Sequence, residues 1–250
     1  MARTCVFCGS DKNLTGEHAV PLWISRLLIS EGPIKHETGQ DRPTWEGRYV
    51  EARAKRICVE CNNGWMSRLE NAVQPFVGQL VKPTKGRKTI HRRSEKRNLA
   101  LWIYKTALMM QLATGGPTPI PESAYRYVGE HKSPPPLTRV WFGLFNLPKA
   151  ERHVADAEFR RLTSYRSTHL DLQTADGTAF RGYAAAFHIA YLGAYVFGYD
   201  SGFGEYVVHA PGFRDLLIPV LPDTGASLYW PPPKSLDDAV LDALVAGFLA

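Results

Sequence analysis

The stretch CVECNNGWMSRLENAVQPF, Cys58–Phe76, opens on two cysteines spaced CxxC and continues with helical periodicity. Trp65, Leu69, Val73 and Phe76 recur every three or four residues, which gives the segment one apolar face. Asn62 and Asn63 stand where that helix should begin, and asparagine is a favoured N-cap type. A second CxxC pair, Cys5 and Cys8, lies upstream in CVFCG. Two such pairs supply the four thiolates of a tetrahedral structural zinc, and no cysteine is left over. A redox role is disfavoured, because neither pair has the strand-to-helix context of a thioredoxin-like motif. The 49 residues between the pairs suit a finger with an insertion. If zinc is bound, much of the stability of residues 1–78 depends on it.

Working outward, LTGEHAVPLW (Leu14–Trp23) reads as a short strand leading into a turn at Pro21. LWISRLLI has helical spacing, 31–47 is rich in Gly and Pro and reads as loop, and RYVEARAKRI alternates like a strand. A knuckle, a hairpin and a CxxC that opens a helix make the layout of a treble-clef finger. In that layout Glu17 and His18, on the hairpin, come next to the first helical turn. Glu17 and His18 are neighbours on a strand and face opposite ways unless the backbone bends there.

The set CVFC, LTGEHAVP and CVECNNGW, in that order, resembles the zinc-containing HNH endonucleases, the ββα-metal nucleases, over residues 1–78. Cys5, Cys8, Cys58 and Cys61 match their zinc ligands. Glu17-His18 with Pro21 matches their acid-histidine pair, and Asn62 the residue after the last cysteine. The resemblance implies that His18 is the general base and that Glu17 and Asn62 hold a catalytic Mg²⁺ or Mn²⁺, with Asn63 the alternate ligand. Glu17 stands where Asp is usual, and the insertion after residue 22 is long. Glu70, eight residues beyond Asn62, falls just over two turns away, too far to join the same ion. The residue types suit the chemistry. A neutral imidazole takes a proton from water near pH 7, and a hard cation binds carboxylate, amide and phosphate oxygens.

Charge is unevenly spread. Residues 1–110 carry 19 Lys/Arg against 10 Asp/Glu, while 111–250 carry 11 against 14. Lys82, Lys85, Arg87, Lys88, Arg92, Arg93, Lys96 and Arg97 form the densest run, within a 79–98 segment that reads as a basic linker or arm. Next to a nuclease site such a run contacts phosphates without reading sequence, and nucleic acid, DNA first, is the expected partner. No run reaches the roughly 18 apolar residues of a membrane span, and the start MARTCVFCGS has no apolar signal core. Together these point to a cytoplasmic protein without a membrane partner.

Residues 99–250 read as an α+β domain. LALWIYKTALMMQLATGG is a buried helix closed by glycines, YRYVGEHKSPPPLT a loop-rich stretch, and TRVWFGLFNL a strand. FRGYAAAFHIAYLGAYVFGYD suggests a buried hairpin. FRDLLIPVLP and ASLYWPPP add short strands. SLDDAVLDALVAGFLA is a C-terminal helix with Ser235 at its cap. No catalytic motif lies in this region. Substrate selection, homodimerisation and capture of an inhibitor or partner all remain open for it. The fold class expected is α+β, with a ββα-metal unit at 1–78, the basic segment 79–98 and the domain 99–250. The alternative to an endonuclease is a non-catalytic zinc-finger module that only binds nucleic acid. An interaction protein on a retired finger is the third reading.

Overall fold

A computed structural model describes residues 4–28, 34–36, 45–47, 53–82, 86–115, 118–147, 151–153, 157–159, 163–173, 177–199 and 213–246. In the N-terminal part, β1 (Leu14–His18) and α1 (Leu22–Leu28) follow the knuckle at Cys5–Cys8. Within the stretch read as loop, β2 (Ile34–His36) pairs antiparallel with β3 (Trp45–Gly47). β4 (Arg53–Cys58) pairs antiparallel with β1. It runs into α2 (Val59–Cys61), a π-helical turn at Asn62–Met66 and α3 (Ser67–Leu80). Leu69, Val73 and Val77 are buried along one side of α3, as the periodicity requires. The helix start differs from expectation. Cys58, not an asparagine, is the N-cap, and its sulfur accepts from the Cys61 N–H at 3.4 Å.

The basic segment is not a free arm. β5 (Lys88–Ile90) pairs with a strand near the C-terminus, and α4 (Arg93–Thr114) takes up residues 93–98. Arginine and lysine are good helix formers, so the helix extends a turn and a half before its apolar periodicity begins. α4 is buried along most of its length and closes at Gly115, whose φ of 62° is the left-handed C-terminal conformation. α5 (Glu122–His131) replaces the loop expected there. Gly129 and the prolines after it disguise this helix. It forms because Ala124, Tyr125 and Val128 bury against the rest of the core.

Then come β6 (Thr138–Phe145), the paired β7 (Glu151–His153) and β8 (Ala157–Phe159), β9 (Thr163–Gln173), β10 (Ala179–Ile189) and β11 (Leu192–Tyr199). β12 (Ile218–Leu221), β13 (Leu228–Trp230), β14 (Ser235–Leu236) and α6 (Asp238–Val245) follow. The main sheet has the order β12-β6-β11-β10-β9, antiparallel, with β14 added parallel to β6. β10 and β11 form the expected hairpin. β13 is the strand that pairs with β5. Asp237 rather than Ser235 caps α6, accepting from the Val240 N–H at 2.9 Å, because Ser235 is committed to β14.

Strand alternation sorts the sheet into two faces. Ala185, Phe187, Ile189, Leu192, Ala194 and Val196 join the core that holds α4. Ala184, Ala186, Tyr195, Phe197 and Tyr199 join Leu241 and Leu244 of α6. On its other side α4 packs against α3 and β4. One apolar cluster therefore runs from Cys5 to Trp230, and the segment boundaries at 78 and 98 do not divide the core. The knuckle is locked to α5. Phe7 meets Trp65 edge-on at 5.2 Å and Tyr125 at 6.0 Å, and Gly129 lies directly on the Phe7 backbone.

A Cβ at position 129 would fall within 2.6 Å of the Phe7 carbonyl carbon. Backbone cannot yield as a side chain does, so Gly129→Ala is expected to destabilise the fold by about 2 kcal/mol or more. Urea unfolding checks this.

Candidate functional site

Folding brings the four cysteines together. Their sulfurs all lie within 4.8 Å of one another, with Cys8 and Cys58 3.5 Å apart, and together they can hold a metal ion. The knuckle is a tight turn in which Gly9, at φ 80°, donates to the Cys5 carbonyl. β4 delivers Cys58, and the first turn of the helix delivers Cys61. None forms a disulfide. Without a cation the cluster resists full ionisation. Burial pushes the Cys58 thiol up to about 11. Burial and the neighbouring Cys5 charge push Cys61 higher still. Cys5 is lowered to about 7: burial opposes this, but hydrogen bonds from the backbones of Cys58, Cys8 and Phe7 outweigh it. A bound cation is what lets all four ionise together.

The second constellation lies at the end of β1. Glu17 and His18 are both half-buried there, opposite Ala54 and Arg53 of β4. The pairing slips between Thr15 and Glu17, so that Lys55 and Arg56 together face Gly16. An extra residue of this kind bends the strand that carries it, here β4, and increases the twist of the pair just before Glu17 and His18. The Asn62 side chain and the His18 backbone N–H both act on the Glu17 carboxyl and favour its charge. Because Cys58 caps the helix, Asn62 is released from capping and serves Glu17 instead. Asn63 is exposed, so Asn62 is the asparagine that reaches the acid.

Two residues complete this constellation, one left out on spacing and one overlooked. Glu70 acts electrostatically on Glu17 despite its eight-residue spacing from Asn62. Lys105 comes from α4, in the region assigned to a separate domain, and sits 2.7 Å from Glu70 with its side chain fully buried. The signal for it was present: a single charge inside the apolar run LALWIYKTALMM. Such a charge is retained only when paired. Burial raises the pKa of Glu17, and the Glu70 charge adds to the rise, against the opposing pull of Lys105.

The basic run separates into parts. Lys82, Arg87, Arg92, Arg93 and Arg97 are exposed, Lys88 is half-buried in β5, and Lys85 lies outside the described residues. Lys96 is a correction. Its side chain is only 2% exposed and pairs with Asp223 at 2.5 Å, so it is a core ion pair and not a phosphate contact. Among the described residues no helix is long and apolar enough to cross a membrane. No family model matches this chain, and no curated protein or solved structure matches it.

Removing a bound ion with a chelator, or making Cys58→Ser, is expected to lower the melting temperature by roughly 10 °C. That figure takes several kcal/mol for the site and about 2–4 °C per kcal/mol for a chain of this size. Calorimetry with metal analysis checks it.

Glu17 gives a pH prediction. Its folded pKa lies above the unfolded one, so the folded state holds the proton more tightly, and stability falls as pH rises from the unfolded value through the folded one. In metal-free protein Glu17→Gln is expected to raise stability at pH 7. The gain should vanish below about pH 4, where the carboxyl is protonated in both states. Urea titrations at the two pH values measure it.

Proposed function

We propose that this chain is a metal-dependent endonuclease of the HNH type, acting on nucleic acid, DNA first. The observation that carries the reading is that the Asn62 side chain acts on the Glu17 carboxyl beside a cluster of four cysteines. The two residues lie where β1 meets the helix opened by the second cysteine pair, with His18 next in the chain. In this reading the four cysteines hold zinc. Tetrahedral Zn–S bonds of about 2.3 Å place sulfurs about 3.8 Å apart, a spacing the observed cluster accommodates. The β1–β4 hairpin, the knuckle and the helix from Val59 then make a treble clef.

Glu17 and the side-chain oxygen of Asn62 would hold Mg²⁺ or Mn²⁺, which when bound neutralises phosphate charge and stabilises the departing 3′ oxygen. His18 takes a proton from the attacking water through its neutral imidazole. The Asn62 side chain favours the charged form of the Glu17 carboxyl. The Lys105–Glu70 pair keeps a compensating positive charge near the acid. The exposed arginines of the α4 start, Arg92, Arg93 and Arg97, supply phosphate contacts that need no base recognition.

The test is cleavage of plasmid and of RNA with Mg²⁺ or Mn²⁺, and without either, by wild type, His18→Ala and Glu17→Gln. Wild type is expected to cut only with the divalent ion. Each variant should lose at least about a hundredfold in rate while still binding nucleic acid. Retained binding without cleavage by wild type under any ion would favour the non-catalytic zinc-finger module.

A further inference from the structure

Two adjoining cavities open between the start of α4 and the end of α5, and the nuclease reading does not use them. One, of about 530 Å³, is walled by Ser94, Arg97 and Asn98 of α4 and by Lys132 just past α5. The other, of about 350 Å³, is apolar and aromatic, with Tyr183 and Tyr199 in its wall. They share Tyr127, Pro135 and Pro136. No acidic side chain lines either one. Among the described residues no carboxylate pairs with Arg97. Tyr127 is held in place by the His131 ring, stacked at 4.0 Å and 14°. Lys132 lies over the Trp65 ring at 5.2 Å, which ties this cleft to the helix carrying Asn62.

Position along α4 connects cleft and site. Ser94, Asn98, Leu101 and Lys105 fall at three- or four-residue steps, on one stripe of the helix. At 1.5 Å per residue, Leu101 is about 6 Å and Ser94 about 16 Å along the axis from Lys105. Cleft and Lys105 are thus carried by one helix, Lys105 being the residue that pairs with Glu70.

We propose that this double cleft binds one unpaired nucleotide of the substrate strand. Its base enters the aromatic half beside Tyr127, and its phosphate meets Arg97 in the polar half. A positive rim, an apolar aromatic interior and no acid are the complement of a nucleotide, and a base offers its π-face to Tyr whatever its sequence. The inference deepens the nuclease reading and rests on it for the role of the cleft, though binding itself does not require cleavage.

The experiment measures fluorescence anisotropy of labelled single-stranded and duplex oligonucleotides, DNA and RNA, with the His18→Ala protein. Arg97→Ala, Tyr127→Ala and Tyr127→Phe are added to that background, with Arg181→Ala on the exposed part of β10 as control. Tyr127→Ala is expected to weaken single-strand binding roughly tenfold and Tyr127→Phe to restore it. Arg97→Ala is expected to lower the salt dependence by about one phosphate contact. Arg181→Ala should have no effect, and duplex should bind more weakly than single strand. Unchanged single-strand binding and salt slope in Arg97→Ala and Tyr127→Ala overturn the cleft proposal, even if the wild type cleaves. Binding that depends on these residues sustains it, even if the wild type never cleaves and the nuclease reading falls.

Discussion

Four thiols confined within 4.8 Å set up the constraint on which the N-terminal structure depends. Burial holds protons on Cys58 and Cys61, while four thiolates without a cation would repel one another. A metal ion relieves both conflicts at once. The same cluster decides where the helix begins. Cys58 serves as the cap, so the first asparagine after the cysteines lies inside the helix, with its side chain acting on the Glu17 carboxyl. A different cap would have committed Asn62 to backbone hydrogen bonds. The candidate site follows from the choice of a sulfur in place of an amide at one position.

The second constraint is α4. It is a single helix of 22 residues that packs against α3 and β4 on one side and the main sheet on the other. Through it the N-terminal unit shares its core with the rest of the chain, so the unit is not an independent finger on a tether. α4 also brings a buried ammonium to the acids. Lys105 is tolerable in the core because Glu70 meets it at 2.7 Å. Glu17, by contrast, is left in surroundings that disfavour its charge. A cation or a reacting group bound there would supply a further partner for that charge.

A rigid helix shared by the site and the cleft also fixes their spacing. Glu70 meets Lys105 on one part of α4, and Arg97 and Asn98 line the cleft two turns earlier. No hinge intervenes along that helix, so a strand seated in the cleft would reach the site at a defined offset. Sites carried on regular elements hold their geometry more closely than sites carried on loops.

The two cysteine pairs, the Glu17-His18 pair, Asn62 and the buried character of α4 were all legible in the chain, because each is written in short-range spacing and residue type. The β10–β11 hairpin and the helical face of Leu69 and Val73 were legible for the same reason. Other features were not. α5 was hidden by Gly129, which is there because Phe7, far off in sequence, presses its backbone against the helix. Lys96 looked like part of a solvated basic run and is buried because Asp223, 127 residues away, reaches it. Lys105 gains its partner only in the fold, where Glu70 meets it. The sequence by itself determined which groups could bind metal and where the helices and strands of strong period run. The tertiary structure alone decided which charges meet, because the fields and desolvation that set their roles come from residues distant in the chain and adjacent only after folding.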